Sequence, residues 1–148
     1  MKIAVSSDER TVLTDFVVAE LEKRGHTVLL FGPLMDEPMP WTRVTEQAAN
    51  AVAAGEAEEG VFFCYTGTGA AIAANKVNGI RAALCQDAET ARGARWWNDA
   101  NALVLSNRAV SLPIAAEILD AWFSERVKDE EKDTIRGLRE IEQKNRRG

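Results

Sequence analysis

Short apolar runs alternate along the chain with longer stretches in which apolar and polar residues are mixed. Five runs have the length and composition of strands that are buried on both faces: residues 2–6, 27–31, 60–64, 80–84 and 102–106. The stretches that separate or follow them are each long enough for one helix, at residues 11–24, 42–54, 69–76, 87–97 and 112–124. This alternation predicts βαβ units and therefore an α/β fold, a three-layer αβα sandwich around a five-stranded parallel sheet.

The first helical stretch and the segment after the second strand carry further local signals. Apolar residues of the helix are spaced to form one stripe, and Gly25 is the expected stop. The stripe consists of Val12, Leu13, Phe16, Val17 and Leu21. Three prolines, Pro33, Pro38 and Pro40, lie in residues 32–41, which we predict to be a loop and a pocket wall.

The last part of the chain differs in composition from the rest. Residues 125–148 are rich in charge and favour a helix, but only Val127, Ile135, Leu138 and Ile141 offer apolar side chains to bury. We therefore divide the chain into a domain at residues 1–124 and a C-terminal helical extension at residues 125–148. The extension is either a solvated terminal helix or an arm that docks on a second subunit.

Composition and charge narrow the classes of partner and site. The 148 residues carry a net charge of -5, which disfavours binding to nucleic acids or to anionic membranes. No apolar run is long enough to span a bilayer, and the charged start does not resemble a signal peptide, so we predict a cytoplasmic protein. Two cysteines without a CxxC spacing and a single histidine predict no metal site.

Polar residues follow the strands of the predicted sheet. Ligands of open α/β sheets bind beyond the carboxyl ends of the strands, so these residues are candidates for one site. The candidates are Ser6, Ser7 and Asp8, residues 64–69, Gln86 and Asp87, and Ser106, Asn107 and Arg108.

The stretch "CYTGTGAA" at residues 64–71 combines a thiol with two glycines and the start of a helix. Gly67 and Gly69 let backbone amides approach a ligand, and the helix adds its positive end, so the loop should attract an anion. It matches neither a P-loop nor a dinucleotide fingerprint. Cys64 is then either a base or nucleophile activated by this loop, or a buried structural cysteine.

Three segments together resemble one known family. The segments "MKIAVSSD", "GVFFCYTGTGAAIAANKVNGIRAALC" and "WNDANALVLSNRAV" are similar, in order and spacing, to the type B ribose-5-phosphate isomerases, which include the galactose-6-phosphate isomerase subunits. The resemblance covers residues 1–124. It implies a Rossmann-like αβα domain, a homodimer with active sites at the subunit interface, and isomerisation of a phosphorylated sugar between aldose and ketose without a cofactor.

The resemblance also implies roles for individual residues. Cys64 corresponds to the base that moves a proton between C1 and C2 through a cis-enediolate, and Thr66 to the hydroxyl that exchanges protons between the two oxygens. Asn98 corresponds to a residue that contacts substrate oxygens, and Arg108 to the phosphate-binding arginine. The expected anion hole consists of the backbone amides of Gly67, Thr68, Gly69 and Ala70.

The chain departs from the family pattern at several of these positions. The family has histidines at the positions of Glu9 and Trp97, and the histidine at the position of Trp97 helps to open the sugar ring. Tyr65 replaces a glycine of the family. Trp41 corresponds to an aromatic position near the substrate. The family's "GGRH" segment is missing, which leaves only three residues of the extension as candidates to reach the neighbouring subunit's phosphate site: Lys132, Arg136 and Arg139.

Loss of both histidines leaves the proton-transfer base and its anion hole in place. We therefore expect an isomerase of an open-chain substrate, such as a tetrose 4-phosphate, with Asp8 or Glu9 as the alternative source of a ring-opening proton. Two other hypotheses remain, a non-catalytic sugar-phosphate-binding homologue and an epimerase or isomerase of a related or non-phosphorylated sugar. The dimer is compatible with pairing into a tetramer.

Some of these residues also have purely structural interpretations. Asp8 is suited to cap the first helix. Cys85 is expected to pack at the end of its strand, and Arg92 and Arg95 to lie on a solvated helix face. Trp96 and Trp97 would cover an interface.

Overall fold

The computed structural model describes residues 1–146, which form five strands and six α-helices. The strands are β1 (Lys2–Ser6), β2 (Thr27–Phe31), β3 (Glu59–Cys64), β4 (Ala82–Leu84) and β5 (Ala102–Ser106). The helices are α1 (Val12–Lys23), α2 (Trp41–Ala53), α3 (Thr68–Asn75), α4 (Ala88–Asn98), α5 (Leu112–Ser124) and α6 (Lys132–Lys144). Strands and helices alternate through β5 and α5, which confirms the predicted α/β class.

All strand pairs are parallel, and the sheet has the order β2-β1-β3-β5-β4. The chain moves from β1 to β2 on one side and then returns to place β3 on the other side of β1. The strand order therefore reverses between β1 and β3, which is where open α/β sheets bind their ligands. The loops after β1 and β3 flank this point.

Helices cover both faces of the sheet, so each strand supplies side chains to two cores. In β3, Val61 and Phe63 enter a core that also contains residues of α1, α4 and α5. Phe62 and Cys64 enter a second core formed with α2 and α3. Because side chains alternate along a strand, Cys64 ends β3 on the face that α2 and α3 cover.

Helix α1 begins with a side-chain cap, and the residue that provides it is Thr11 rather than Asp8. The Thr11 hydroxyl accepts from the backbone N–H of Thr14 at 3.0 Å, and the Thr14 hydroxyl accepts in return from the N–H of Thr11 at 2.9 Å. The predicted apolar stripe is wrong at Val12, which is 75% exposed. Gly25 follows the helix with φ of +89°, as a helix stop requires.

Most element boundaries lie within one residue of the prediction, and two segments depart from it further. Strand β4 begins at Ala82 rather than at residue 80, because the backbone N–H of Arg81 donates to the Asn101 side chain at 2.7 Å. The proline-rich segment is not entirely irregular, since Gly32–Met35 forms one 3₁₀ turn with Pro33 near its start. The first residues of a helix have backbone N–H groups without a partner in the helix. A proline there, which lacks the N–H, therefore loses no hydrogen bond.

The expectation that Arg95 lies on a solvated helix face is wrong. Its guanidinium is buried and donates to the Glu59 carboxylate at 3.0 Å and to the Ala100 carbonyl at 2.6 Å. The other carboxylate oxygen of Glu59 accepts from the Trp122 indole N–H at 2.8 Å. Both charges are thus paired and hydrogen-bonded, as burial of charge demands.

Helix α6 forms where the sequence predicts a helix, after a 3₁₀ turn at Asp129–Glu131. Its Glu142 carboxylate accepts from the backbone N–H of Gly79 at 2.9 Å, which fastens the helix beside the loop that precedes β4. Leu138 and Ile141 remain exposed. Among residues 1–146, no helix has both the length and the apolar character that a membrane crossing needs.

Candidate active site

Cys64 ends β3 with its sulfur held by the loop that follows. The Sγ atom accepts hydrogen bonds from the backbone N–H groups of Gly67, at 3.2 Å, and Ala70, at 3.4 Å. Ala70 lies in the first turn of α3, so the positive end of that helix also faces the sulfur. Both features stabilise negative charge on Sγ, and the residue is 5% exposed.

The two glycines of the loop permit this arrangement for different reasons. Gly67 has φ of +83°, and a Cβ atom there would lie 2.5 Å from the Leu84 side chain. A Cβ atom at Gly69 would lie 3.0 Å from two carbons of the Trp41 ring, which shows that Gly69 packs directly against this ring. The structure therefore brings Trp41, at the start of α2, directly to the loop.

The remaining loop residues present polar groups to solvent. The hydroxyls of Thr66 and Thr68 are hydrogen-bonded to each other at 2.8 Å. Of the four amides expected to form an anion hole, those of Gly67 and Ala70 already donate to the Cys64 sulfur. The N–H groups of Thr68 and Gly69 belong to the first turn of α3, where helical geometry offers no partner.

The loop after β1 is tied to the residue that follows β5. The Asn107 side chain donates to the Ser7 hydroxyl at 3.2 Å and accepts from the Thr11 hydroxyl at 3.1 Å. The backbone N–H of Asn107 donates to the Cys64 carbonyl at 3.0 Å. Asn107 thereby joins the loops that follow β1, β3 and β5.

Asp8 and Glu9 lie in the loop after β1. Burial raises the pKa of the Asp8 carboxyl above its ordinary value, because desolvation disfavours the charged form. A backbone hydrogen bond opposes this shift, and the nearby Glu9 charge adds to it. The Glu9 side chain is exposed at the same edge of the sheet.

Arg108 lies beside the Cys64 loop. Its backbone N–H donates to the Tyr65 carbonyl at 3.1 Å, and its guanidinium carbon lies 5.7 Å from the centre of the Tyr65 ring. The structure therefore brings Cys64, Thr66, the glycine loop, Trp41 and Arg108 to one edge of the sheet.

Trp97 and Asn98 lie elsewhere in the chain. They end α4, which begins near the carboxyl edge of the sheet and runs back toward the amino ends of the strands. Asp99 follows directly, and its carbonyl accepts from the side chain of Arg81, which precedes β4, at 2.6 Å. Trp97 stacks on Gly93 of the same helix and is 52% exposed. None of these contacts involves the Cys64 loop.

The ion pairs of the extension's three cations lie within the extension itself. Lys132 pairs with Asp129 at 2.8 Å, and Arg136 pairs with Asp133. Arg139 is exposed and forms no ion pair within residues 1–146. The Asp99 charge contributes to raising the pKa of Lys132, after its hydrogen bond and ion pair with Asp129. The backbone N–H of Lys128, shortly before α6, donates to the Trp96 carbonyl at 3.1 Å, so the segment that leads into α6 lies against the end of α4.

The other cysteine and the metal-binding side chains have structural surroundings. Cys85 is fully buried, as expected, and burial raises the pKa of its thiol to about 12. Within the part of the chain that the structure describes, no three His, Cys, Asp or Glu side chains form a group that would hold a metal ion.

Sequence reasoning missed the connecting role of Asn107 and the cation–π contact between Arg108 and Tyr65. Asn107 is recognisable only as one polar residue after a strand, since its partners lie about a hundred residues earlier in the chain. Tyr65 stands where the family resemblance predicts glycine. This difference is the feature of the sequence that indicates a special role for residue 65.

Comparisons with known proteins identify the family. The sequence matches the ribose/galactose isomerase family over residues 3–139. It is 40% identical over 123 residues to ribose-5-phosphate isomerase B of Escherichia coli, covering 82% of this chain and 83% of that protein. It is 35% identical over 126 residues to D-erythrulose-4-phosphate isomerase of Pectobacterium atrosepticum, covering 83% and 82%.

The fold leads to the same family. The structure of ribose-5-phosphate isomerase B from Clostridium thermocellum superposes with a TM-score of 0.91 at 37% sequence identity, covering 99% of this chain and all of that one. The family match and these relatives together cover both the sheet and the Cys64 loop. The chain therefore belongs to the ribose/galactose isomerase family and is an isomerase.

Proposed function

We propose that this protein interconverts the aldose and ketose forms of a phosphorylated sugar, with Cys64 as the base. The observation that carries the proposal is the placement of the Cys64 sulfur, which two backbone amides and the start of α3 surround. A thiolate held there would remove the proton from C2 of the aldose and return it to C1, which yields the ketose. Acid–base catalysis of this kind contributes about 10²–10⁴-fold to a rate.

The groups around Cys64 are suited to the rest of the reaction. The intermediate is a cis-enediolate, whose negative oxygen the free N–H groups of Thr68 and Gly69 would stabilise. The Thr66 hydroxyl would move a proton between O1 and O2. Arg108 would bind the phosphate, since a guanidinium offers several donors to a tetrahedral anion.

We further propose that the substrate is a tetrose 4-phosphate. A four-carbon aldose with a phosphate on O4 cannot close a five-membered ring, so its isomerisation needs no acid to open a ring. Glu9 and Trp97 stand where the family resemblance predicts histidines, one of them the ring-opening residue. A relative of similar length is named D-erythrulose-4-phosphate isomerase, which supports the same substrate class.

A second copy of the chain would complete the site. Trp97 and Asn98 end α4, and the segment that leads into α6, with Lys132, Arg136 and Arg139, contacts that end through the Lys128 N–H, which donates to the Trp96 carbonyl at 3.1 Å. In a homodimer, this group from one subunit would face the Cys64 loop of the other. Asn98 would then contact substrate oxygens, and Arg139 would add a second positive charge for the phosphate.

Hydrogen–deuterium exchange into the substrate tests the assignment of Cys64. The protein is incubated in heavy water with four-, five- and six-carbon aldose and ketose phosphates, and deuterium at C1 and C2 is followed by NMR. We expect rapid exchange with a tetrose phosphate, and a loss of about 10²–10⁴-fold in Cys64→Ala. Cys85→Ala is the matched control, because that thiol is buried in the other core of the sheet.

The result separates the alternatives. Turnover of pentose or hexose phosphates without any turnover of tetrose phosphates would refute the tetrose assignment and leave the role of Cys64 standing. Exchange that survives in Cys64→Ala would refute the cysteine base. Absence of exchange with every phosphate would favour a binding protein or a non-phosphorylated substrate.

A further inference from the structure

Tyr65 lies between the two residues that we assign to proton transfer, and its side chain is largely exposed to solvent. It is 61% exposed. Its backbone carbonyl accepts from the Arg108 N–H at 3.1 Å and from the Ser106 hydroxyl at 3.1 Å. The main chain at Tyr65 is thus fixed to the end of β5, and the side chains of Tyr65 and Arg108 rise from neighbouring points.

The Tyr65 ring is the partner of the Arg108 guanidinium. The guanidinium carbon lies 5.7 Å from the ring centre, within the range of a cation–π contact. Within residues 1–146, the Arg108 side chain forms no ion pair and donates no hydrogen bond. Its five donors are therefore available, while the group lies beside the Tyr65 ring.

An exposed arginine has many rotamers, and binding an anion with it costs conformational entropy. A ring that restricts the side chain before the anion arrives lowers that cost, which strengthens binding without any contact between ring and anion. Glycine, which the family resemblance predicts at position 65, has no side chain to provide this restriction.

We propose that Tyr65 is a positioning residue, which holds the Arg108 guanidinium beside the Cys64 loop in the orientation that binds the terminal phosphate of the substrate. The inference rests on the proposed function only for the identity of the anion. Tyr65 acts through Arg108 and does not touch the reacting carbons, so its loss should weaken phosphate binding more than it slows chemistry.

The test is a double-mutant cycle read out with inorganic phosphate. Its dissociation constant is measured by titration calorimetry for the wild type, Tyr65→Leu, Tyr65→Phe, Arg108→Ala and the double variant Tyr65→Leu/Arg108→Ala. We expect Tyr65→Leu to weaken phosphate about two- to fivefold, the effect of an exposed cation–π contact. Tyr65→Phe keeps the ring and should bind as the wild type does. In the Arg108→Ala background, Tyr65→Leu should have no further effect.

Steady-state kinetics with the turned-over sugar phosphate provide the second measurement. We expect Tyr65→Leu to raise KM by the same factor while kcat changes less, because the contact acts on binding. The inference is overturned if Tyr65→Leu binds phosphate as tightly as the wild type, or if its effect persists without Arg108. If Tyr65 and Arg108 are coupled in phosphate binding but the protein turns over no sugar phosphate, the inference stands and the proposed isomerase activity is refuted.

Discussion

Gly67 occupies the most restricted backbone position of the Cys64 loop. Its φ of +83° disfavours any other residue, and a Cβ atom there would overlap the Leu84 side chain. We expect Gly67→Ala to lower the free energy of unfolding by about 2–5 kcal/mol, the sum of left-handed backbone strain and overpacking. Urea unfolding measures this loss.

A matched control separates the two causes. Gly55 has nearly the same φ, +81°, but no atom within 4 Å of a built Cβ. Gly55→Ala should therefore lose only about 1–2 kcal/mol from the left-handed backbone. Equal losses at Gly55 and Gly67 would show that the Leu84 side chain moves aside without cost.

The raised pKa of Asp8 predicts a stability effect that depends on pH. Because burial disfavours its charged form, the ionised carboxylate costs stability at neutral pH, and that cost disappears as Asp8 becomes protonated. We expect Asp8→Asn to raise Tm at pH 7, with the gain shrinking toward pH 4. Thermal unfolding at both pH values measures it.

Asp87 provides the control of opposite sign. A hydrogen bond from the Thr90 backbone lowers the pKa of its carboxyl, so the charged form stabilises the fold. Asp87→Asn should therefore lower Tm at pH 7, with the loss shrinking in acid. A gain at Asp8 that is the same at pH 7 and pH 4 would contradict the assignment of its pKa.

Helix α1 is the element whose start is coupled to the site. The Thr11 hydroxyl caps the helix and also donates to Asn107, which holds the Cys64 carbonyl. We expect Thr11→Ala to lower the free energy of unfolding by about 1–2 kcal/mol, as loss of an N-cap does, and to reduce isomerase activity as well. Denaturant unfolding and kcat/KM measure the two effects.

Ser111 caps α5 in the same way and lies outside the Asn107 connections. Ser111→Ala should destabilise the protein by a similar amount, about 1 kcal/mol, with little change in kcat/KM. If both variants lose activity equally, the cap at Thr11 supports the site only through general stability.

Elements were predictable from the sequence where local pattern decides them. The apolar runs of β1, β2, β3 and β5 and the turn that leads into α3 are each contiguous in sequence, and each forms within one residue of its predicted position. Interactions between distant segments were not predictable. Burial of Arg95 depends on Glu59, which lies 36 residues earlier, and a charged residue on a helix gives no local sign of such a partner.

The candidate site also combines features that the sequence predicts with features that it does not. Cys64, Trp41 and Arg108 come together because carboxyl ends of parallel strands share one edge of the sheet. The positions of Trp97 and Asn98 follow instead from the direction of α4, which carries them away from that edge. Their place in a sequence motif could not reveal whether they serve their own chain or another.

At the scale of the whole molecule, a shared site predicts that two inactive variants restore each other. Cys64→Ala retains Asn98, and Asn98→Ala retains Cys64, so a hybrid dimer contains one complete site. We expect an equal mixture, unfolded and refolded together, to regain about a quarter of wild-type activity, because random pairing makes half of the dimers hybrid.

Two controls accompany the mixing experiment. Each variant is refolded alone, and wild type is refolded with Cys64→Ala to measure the yield of exchange between subunits. Activity of the mixture that equals the mean of the separate variants, despite proven exchange, would show that Cys64 and Asn98 do not act in one shared site.

The hydrogen bonds of Asn107 have a consequence for the way the native state opens. They connect the ends of β1, β3 and β5, whose residues Ser7, Cys64 and Asn107 are far apart in sequence. Releasing the loop after β5 breaks its bonds to both other segments, and releasing either of those breaks its bond to Asn107. The backbone amides of the three segments should therefore exchange with solvent deuterium as one cooperative unit. Amides of the exposed turn around Gly55, which has no such connection, should exchange faster and independently.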